Sequence, residues 1–318
     1  MRYLIALMFI TLLAGCSQTS PRPPTMINAS STQVMDGFAI AAYLQTLYGR
    51  KFPNCNKVNS QPAFLCSGVT IRVTLKSTSY KVWEPSPFSV RQGGVAFSYL
   101  RADADFGRFA YERANGYILY PVLEAPVDKY KMHYLCAYPY DAWSHTREAD
   151  KPCGPHPSYP AQSRLCQDTG VTTAEQWLAV WRIPEGNPNQ RQCGFDVNDN
   201  RNALAGPAFY QSIRARSLVN GSGVNEHNEL TIKTWCDPLS TDPEKSCAQS
   251  FPANKFPIMA FFYTQDGQAL ADAQYNQRDF YNSTNPKIIV PIIRLVLSTS
   301  IPGTAKFEYI PADQTVTP

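Results

Sequence analysis

Nine cysteines, one of them at the end of a leader-like start and eight beyond it, constrain the possible folds of this chain more than any other feature. The first residues read MRYLIALMFITLLAGC. Arg2 supplies a positive start, and Tyr3 to Leu13 form an apolar run too short to stand as a permanent span. Small residues then lead into Cys16, as in a bacterial export signal. Leu13-Ala14-Gly15-Cys16 has the form of a lipobox, in which the cysteine is acylated and becomes N-terminal. Ordinary cleavage nearby, with loss of Cys16, is the alternative. Ser17 after the cysteine points to the outer membrane. No later stretch is long and apolar enough to span a bilayer, so the lipid would be the anchor. The expected location is the cell envelope, as an outer-membrane lipoprotein, or outside the cell after release.

With Cys16 set aside, Cys55, Cys66, Cys136, Cys153, Cys166, Cys193, Cys236 and Cys247 remain. An even count in an exported chain implies a disulfide framework. Eight cysteines allow roughly a hundred connectivities. Pairing sequence neighbours (55–66, 136–153, 166–193, 236–247) is the simplest of these and no more than that. Structural zinc is the rival use. No Cys-x-x-Cys occurs, and His133, His145, His156 and His227 show no ligand spacing, so no metal is expected.

Residues 1–15 read as the signal peptide and 16–34, rich in Ser, Thr, Gln and Pro, as a flexible tether. Residues 35–318 show no internal repeat and no second linker, and are expected to form one disulfide-stapled domain. The net charge of +4 is mild and its Lys and Arg are scattered, so nucleic acid is not an expected partner.

Helical spacing predicts a helix over 35–48, with others over 102–114, 172–181 and 203–218. Alternation or continuous apolar runs predict strands in VTIRVTL, GGVAFSYLR, YILYPVL, residues 133–140, ELTIKTW, FPIMAFFYT and KIIVPIIRLVLST. Strands dominate and helices are few. The expected class is α+β, mostly antiparallel, with a cysteine- and proline-rich insertion between 141 and 199.

Three stretches carry possible chemistry. Arg72 shares the polar face of its strand with Thr70 and Thr74. It is either an exposed strand residue or a planar fork aimed into a cleft, able to grip phosphate or carboxylate. Ser98 lies between Phe97 and Tyr99; it is either a cross-strand hydroxyl or a group that positions a sugar, with aromatic neighbours to stack on a planar ligand. Glu226 and Glu229 enter a strand in NEHNELTIKTW. They are either solvated loop carboxylates or the negative charge an oxocarbenium-like transition state needs nearby. DVNDN is half a calcium loop without its glycine and distant glutamate. No G-x-S-x-G elbow or phosphate-binding glycine loop occurs.

An Arg on a first strand, a Ser on a second and a Glu on a later one resembles the mono-ADP-ribosyltransferase toxin family. That family's pattern is Arg, then Ser-Thr-Ser, then Glu (or Gln)-x-Glu. More narrowly, PAFLCSGVTIRVT, PSPFSVRQGGVAFSYLRADADF, CGFDVNDNRN and PIMAFFYT are similar to the halovibrin family of secreted NAD-cleaving proteins. The resemblance implies an ADP-ribosyltransferase-like fold and NAD as substrate, with no other cofactor. It implies that Arg72 meets the phosphates, that Ser98 places Glu229 and the ribose, and that Glu229 is the catalytic carboxylate. Tyr99 would stack on nicotinamide, with Phe97 and Glu226 also beside the substrate. His227 stands where the family has its first Glu or Gln, which orients the acceptor. The departure leaves water as an acceptor in place of a host or competitor protein. Ser77-Thr78-Ser79 lies too close to Arg72 to be the separate facing motif. The alternative function is a non-enzymatic, surface-anchored binding or adhesion lipoprotein, in keeping with 18 Tyr, 16 Phe and 26 Pro.

Overall fold

The computed structural model describes residues 27–29, 32–50, 67–75, 80–120, 133–142, 153–156, 159–183, 190, 192–197, 205–219, 225–233 and 258–317. Cys16, Cys55, Cys66, Cys236, Cys247 and the Ser77-Thr78-Ser79 stretch lie outside them. Strands β1 (Ile27–Ala29) and β2 (Thr32–Val34) form an antiparallel pair within the stretch read as a tether. Helix α1 (Gly37–Gly49) begins at Asp36, whose carboxylate accepts from the Phe38 and Ala39 N–H groups at 2.9 and 3.2 Å. Ile40, Leu44 and Leu47 recur on its buried face. Next come β3 (Val69–Val73), α2 (Pro87–Arg91), β4 (Val95–Leu100), β5 (Phe106–Arg108), β6 (Asn115–Leu119) and β7 (His133–Tyr138).

The cysteine-rich middle carries β8 (Pro155–His156), β9 (Tyr159–Ser163), α3 (Ala174–Trp181), β10 (Phe195–Asp196) and α4 (Ala205–Val219). The last third adds β11 (Asn225–Glu226), β12 (Glu229–Lys233), β13 (Ile258–Tyr263), α5 (Gln268–Ser283), β14 (Lys287–Ile289), β15 (Ile292–Val296) and β16 (Lys306–Tyr309). Among the described residues, nine strands form one sheet in the order β10-β7-β12-β4-β3-β6-β13-β15-β16. Every pairing in it is antiparallel except β13 with β15. All six side chains of β13 are buried, which is why it reads as an unbroken apolar run. Helix α5 covers β13, where Phe280 meets Trp83 and Phe261 edge-on at 5.0 and 5.8 Å. The protein is thus α+β and mostly antiparallel, with few helices.

Among the described residues, two disulfides join Cys136 to Cys153 and Cys166 to Cys193. Both are pairs of sequence neighbours, and both staple the middle segment to the sheet through β7 and the approach to β10. Helices α3 and α4 pack on each other, and within α3 Trp177 stacks on Trp181 at 5.1 Å.

Two sequence expectations are corrected. Residues 102–114 form no α-helix; β5 and a single turn at Ala110–Glu112 occupy that span. The two carboxylates near the start of this span are bound by distant parts of the chain. Asp105 accepts from Tyr48 Oη at 2.7 Å, from the Gly303 N–H at 2.9 Å and from Ser298 Oγ. Asp103 accepts from Arg101 and Tyr210. Tertiary bonds thus hold this stretch, and Gly107 weakens any helix through it. KIIVPIIRLVLST likewise is not one strand. Pro291 lacks an N–H and separates β14, which pairs with β2, from β15, which pairs with β13.

Candidate functional site

Strand β4 changes partners halfway along. Val95, Ala96 and Phe97 pair with Ile232, Thr231 and Leu230 of β12. Ser98, Tyr99 and Leu100 pair with Ile71, Thr70 and Val69 of β3. Beyond Ile71, β3 keeps only its other neighbour, with Arg72 opposite Tyr117 and Val73 opposite Gly116 on β6. The sheet therefore opens at Ser98, and a cavity of about 460 Å³ occupies the opening. That volume is in the ordinary range for small-molecule sites. Arg72 and Val73 come from one lip, and Gly94, Ala96, Phe97, Ser98 and Glu229 from the other.

Arg72, Ser98 and Glu229 thus line one cavity, from three strands that are neighbours in the sheet. Arg72 is half-buried, and its Nη1 donates to the Ala96 carbonyl across the gap where the β3–β4 ladder has ended. Burial pulls the Arg72 guanidinium below its ordinary range; nearby Arg113 adds to that, while Tyr117 and Glu229 oppose it. Glu229 is buried. Its Oε2 accepts from the Ala142 N–H at 3.1 Å and its Oε1 from Thr231 Oγ1 at 3.2 Å. The carboxylate is fixed in place before any ligand arrives, which is what electrostatic stabilisation of a developing positive charge requires.

The residues before Glu229 have separate tasks. Asn228 is buried, and its side-chain amide pairs with Tyr99 in both directions: the Tyr99 N–H donates to Oδ1, and Nδ2 donates to the Tyr99 carbonyl, each at 2.8 Å. An amide thus does for β4 what the β12 backbone does one pair earlier. His227 lines the cavity, with Nε2 3.6 Å from Asp141 Oδ1. Tyr80, Phe88, Tyr111 and Arg113 lie on the same lining. Asn228 and Arg113 escape sequence reading because no spacing singles them out.

Two expected substrate contacts are placed differently. Tyr99 is fully buried and does not line the cavity; its hydroxyl donates to the Ser67 carbonyl at 2.5 Å. Strand alternation turns Tyr99 to the face opposite Ser98. Phe97 does line the cavity, but it is buried and edge-on to Tyr117 at 6.1 Å, so it serves as wall rather than as a stacking platform. Glu226 lies in β11 opposite Arg108, and its side chain is outside the described residues.

Gly116 sets how closely β6 approaches the Arg72 lip. A Cβ there would lie 1.9 Å from the Arg72 carbonyl oxygen. Gly116→Ala is expected to cost about 1–3 kcal/mol or more, because backbone must move to admit the methyl group. An unchanged denaturation midpoint would contradict that close approach.

No protein-family model matches this chain, and no curated protein matches it.

Proposed function

We propose that this protein cleaves the nicotinamide–ribose bond of NAD. The observation that carries the proposal is the convergence of Arg72, Ser98 and Glu229 on one cavity where the sheet opens. Their strand order is the one on which the resemblance to mono-ADP-ribosyltransferase toxins and the halovibrin family rests, and an ADP-ribosyltransferase-like fold belongs to the same proposal.

The bond between nicotinamide nitrogen and C1′ of the ribose breaks heterolytically, and neutral nicotinamide leaves with the electron pair. Positive charge spreads over C1′ and the ring oxygen. Water then adds at C1′ and releases a proton, giving ADP-ribose. Glu229, held by Ala142 and Thr231, faces the developing charge and accepts from the 2′-hydroxyl. One fixed group of this kind lowers a barrier by about 3 kcal/mol. Ser98 lies between Glu229 and Arg72 on the sheet and orients the ribose. Arg72 meets the phosphates, where its planar fork suits two oxygens. His227 beside Asp141 replaces the acceptor-orienting acid of the resembling family, which favours water over a protein acceptor. The two disulfides suit an oxidising compartment, in keeping with an exported lipoprotein anchored through Cys16.

The test is nicotinamide release from NAD by the purified, disulfide-intact protein. Turnover supports the proposal; none from protein shown to be folded leaves a non-enzymatic binding role. Arg72→Lys is expected to raise KM for NAD by about tenfold with a smaller change in kcat, because an ammonium cannot reproduce the bidentate grip. A purely catalytic loss, with KM unchanged, would assign Arg72 another task.

A further inference from the structure

Among the lining residues that the bond-breaking step leaves without a role are Tyr111 and Arg113. Both come from the turn between β5 and β6. Tyr111 (φ 53°) and Glu112 (φ 55°) both adopt left-handed backbone, uncommon for residues with side chains, so the turn is strained. The strain presents Tyr111 outward: it is 76% exposed, although an aromatic ring ordinarily seeks burial. The Arg113 guanidinium carbon lies 5.5 Å from the centre of that ring. Its Nε is buried with no hydrogen-bond partner among the described residues. A buried guanidinium N–H without an acceptor is rare and needs an explanation.

Arg72 brings a second guanidinium to the same cavity, close enough for the two charges to act on each other. Two cations share a partly buried space at a cost unless an anion joins them. The Glu229 carboxylate offsets part of this cost for Arg72, but the carboxylates on the lining also have other partners. Glu229 accepts from Ala142 and Thr231, and Asp141 faces His227. Phe88, 50% exposed, adds a second accessible ring.

We propose that Arg113 and Arg72 together grip a diphosphate and that Tyr111 stacks on the base attached to it. This end of the cavity is then the site for a nucleoside diphosphate. The inference rests on reading the cavity as the dinucleotide site, and it assigns the half of the substrate that does not react. Two forks bind one diphosphate through charge-assisted hydrogen bonds. The ring supplies stacking that tolerates different bases, so purine specificity is not expected to be strict.

Calorimetric titration of the disulfide-intact protein with ADP, inorganic pyrophosphate and adenosine tests this without requiring turnover. ADP is expected to bind and adenosine to bind far more weakly. Arg113→Ala is expected to weaken ADP and pyrophosphate alike by about tenfold or more. Tyr111→Ala is expected to weaken ADP by about tenfold and leave pyrophosphate unchanged. Arg113→Lys, which keeps the charge, should recover part of the loss and guards against a misfolded alanine variant. Unchanged ADP affinity in a folded Arg113→Ala protein overturns the inference. So does adenosine binding as tightly as ADP, or a protein that cleaves NAD yet does not bind ADP. Arg113-dependent ADP binding by a protein that releases no nicotinamide upholds it and removes the proposed cleavage instead.

Discussion

Glu229→Gln is expected to cut nicotinamide release at least about a hundredfold while leaving the fold intact. The substitution keeps shape and removes charge. The Gln carbonyl can still accept from the Ala142 N–H, and its amide can still meet Thr231 Oγ1. Nothing apolar moves, so the melting temperature should change by no more than a few degrees. What disappears is the fixed negative charge that the proposal sets beside C1′. Glu229→Ala would be a poorer test, because it also empties a buried position and strands the Ala142 N–H. NAD affinity should change little in the Gln variant, since the carboxylate matters most once positive charge develops. The decisive reading is therefore kcat. Activity within a few-fold of wild type would remove Glu229 from the chemistry, whatever its position in the cavity.

Some of this was legible in the residues. The strand alternation around Arg72, the apolar run of β13 and the two neighbouring disulfides in the middle segment are local signals, and they survive into the fold. Helix α5 is not legible, because its buried face carries Asp272, Asn276 and Gln277 beside Phe280. Gln277 donates to the Val290 carbonyl at 2.9 Å and accepts from the N–H groups of Thr315 and Val316. A helix that docks through amides leaves a weak apolar period. The partner exchange of β4 at Ser98 is illegible for a different reason. It is a relation among three strands distant in sequence, and VAFSYL reads the same whether paired on one edge or both. Alternation did contain the fate of Tyr99, which had to point away from Ser98. The functional reading of that triplet asked it to do otherwise.

Breaking the disulfides is expected to abolish activity before it dismantles the sheet. Cys136 sits on β7 directly opposite Thr231, two residues from Glu229. Its partner Cys153 has a carbonyl that accepts from the Tyr138 hydroxyl. Between these cysteines lies Ala142, whose N–H holds the Glu229 carboxylate. The Ala142 carbonyl accepts from Arg164 Nη1 at 3.0 Å, and Arg164 Nε donates to the Gln192 carbonyl at 3.0 Å. Gln192 adjoins Cys193, the partner of Cys166. Each bridge is therefore linked to Ala142, the first along the chain and the second through Arg164. They close loops of 17 and 27 residues, and each is worth about 3 kcal/mol by chain entropy. Local loosening around Ala142 requires less than global unfolding. Paired Cys136→Ser and Cys153→Ser substitutions should reduce kcat by about tenfold or more, since a misplaced charge stabilises the transition state poorly. The Cys166→Ser and Cys193→Ser pair acts through Arg164 and should do less. Full reduction followed by reoxidation should remove and restore activity, with free thiols counted at each stage. Undiminished turnover in fully reduced protein would show that Ala142 holds its place without the bridges. If the bridges are needed, and the chain is exported and cleaves NAD as proposed, a chain kept reduced before export would spare the NAD of the cell that makes it, because its carboxylate would not yet be set.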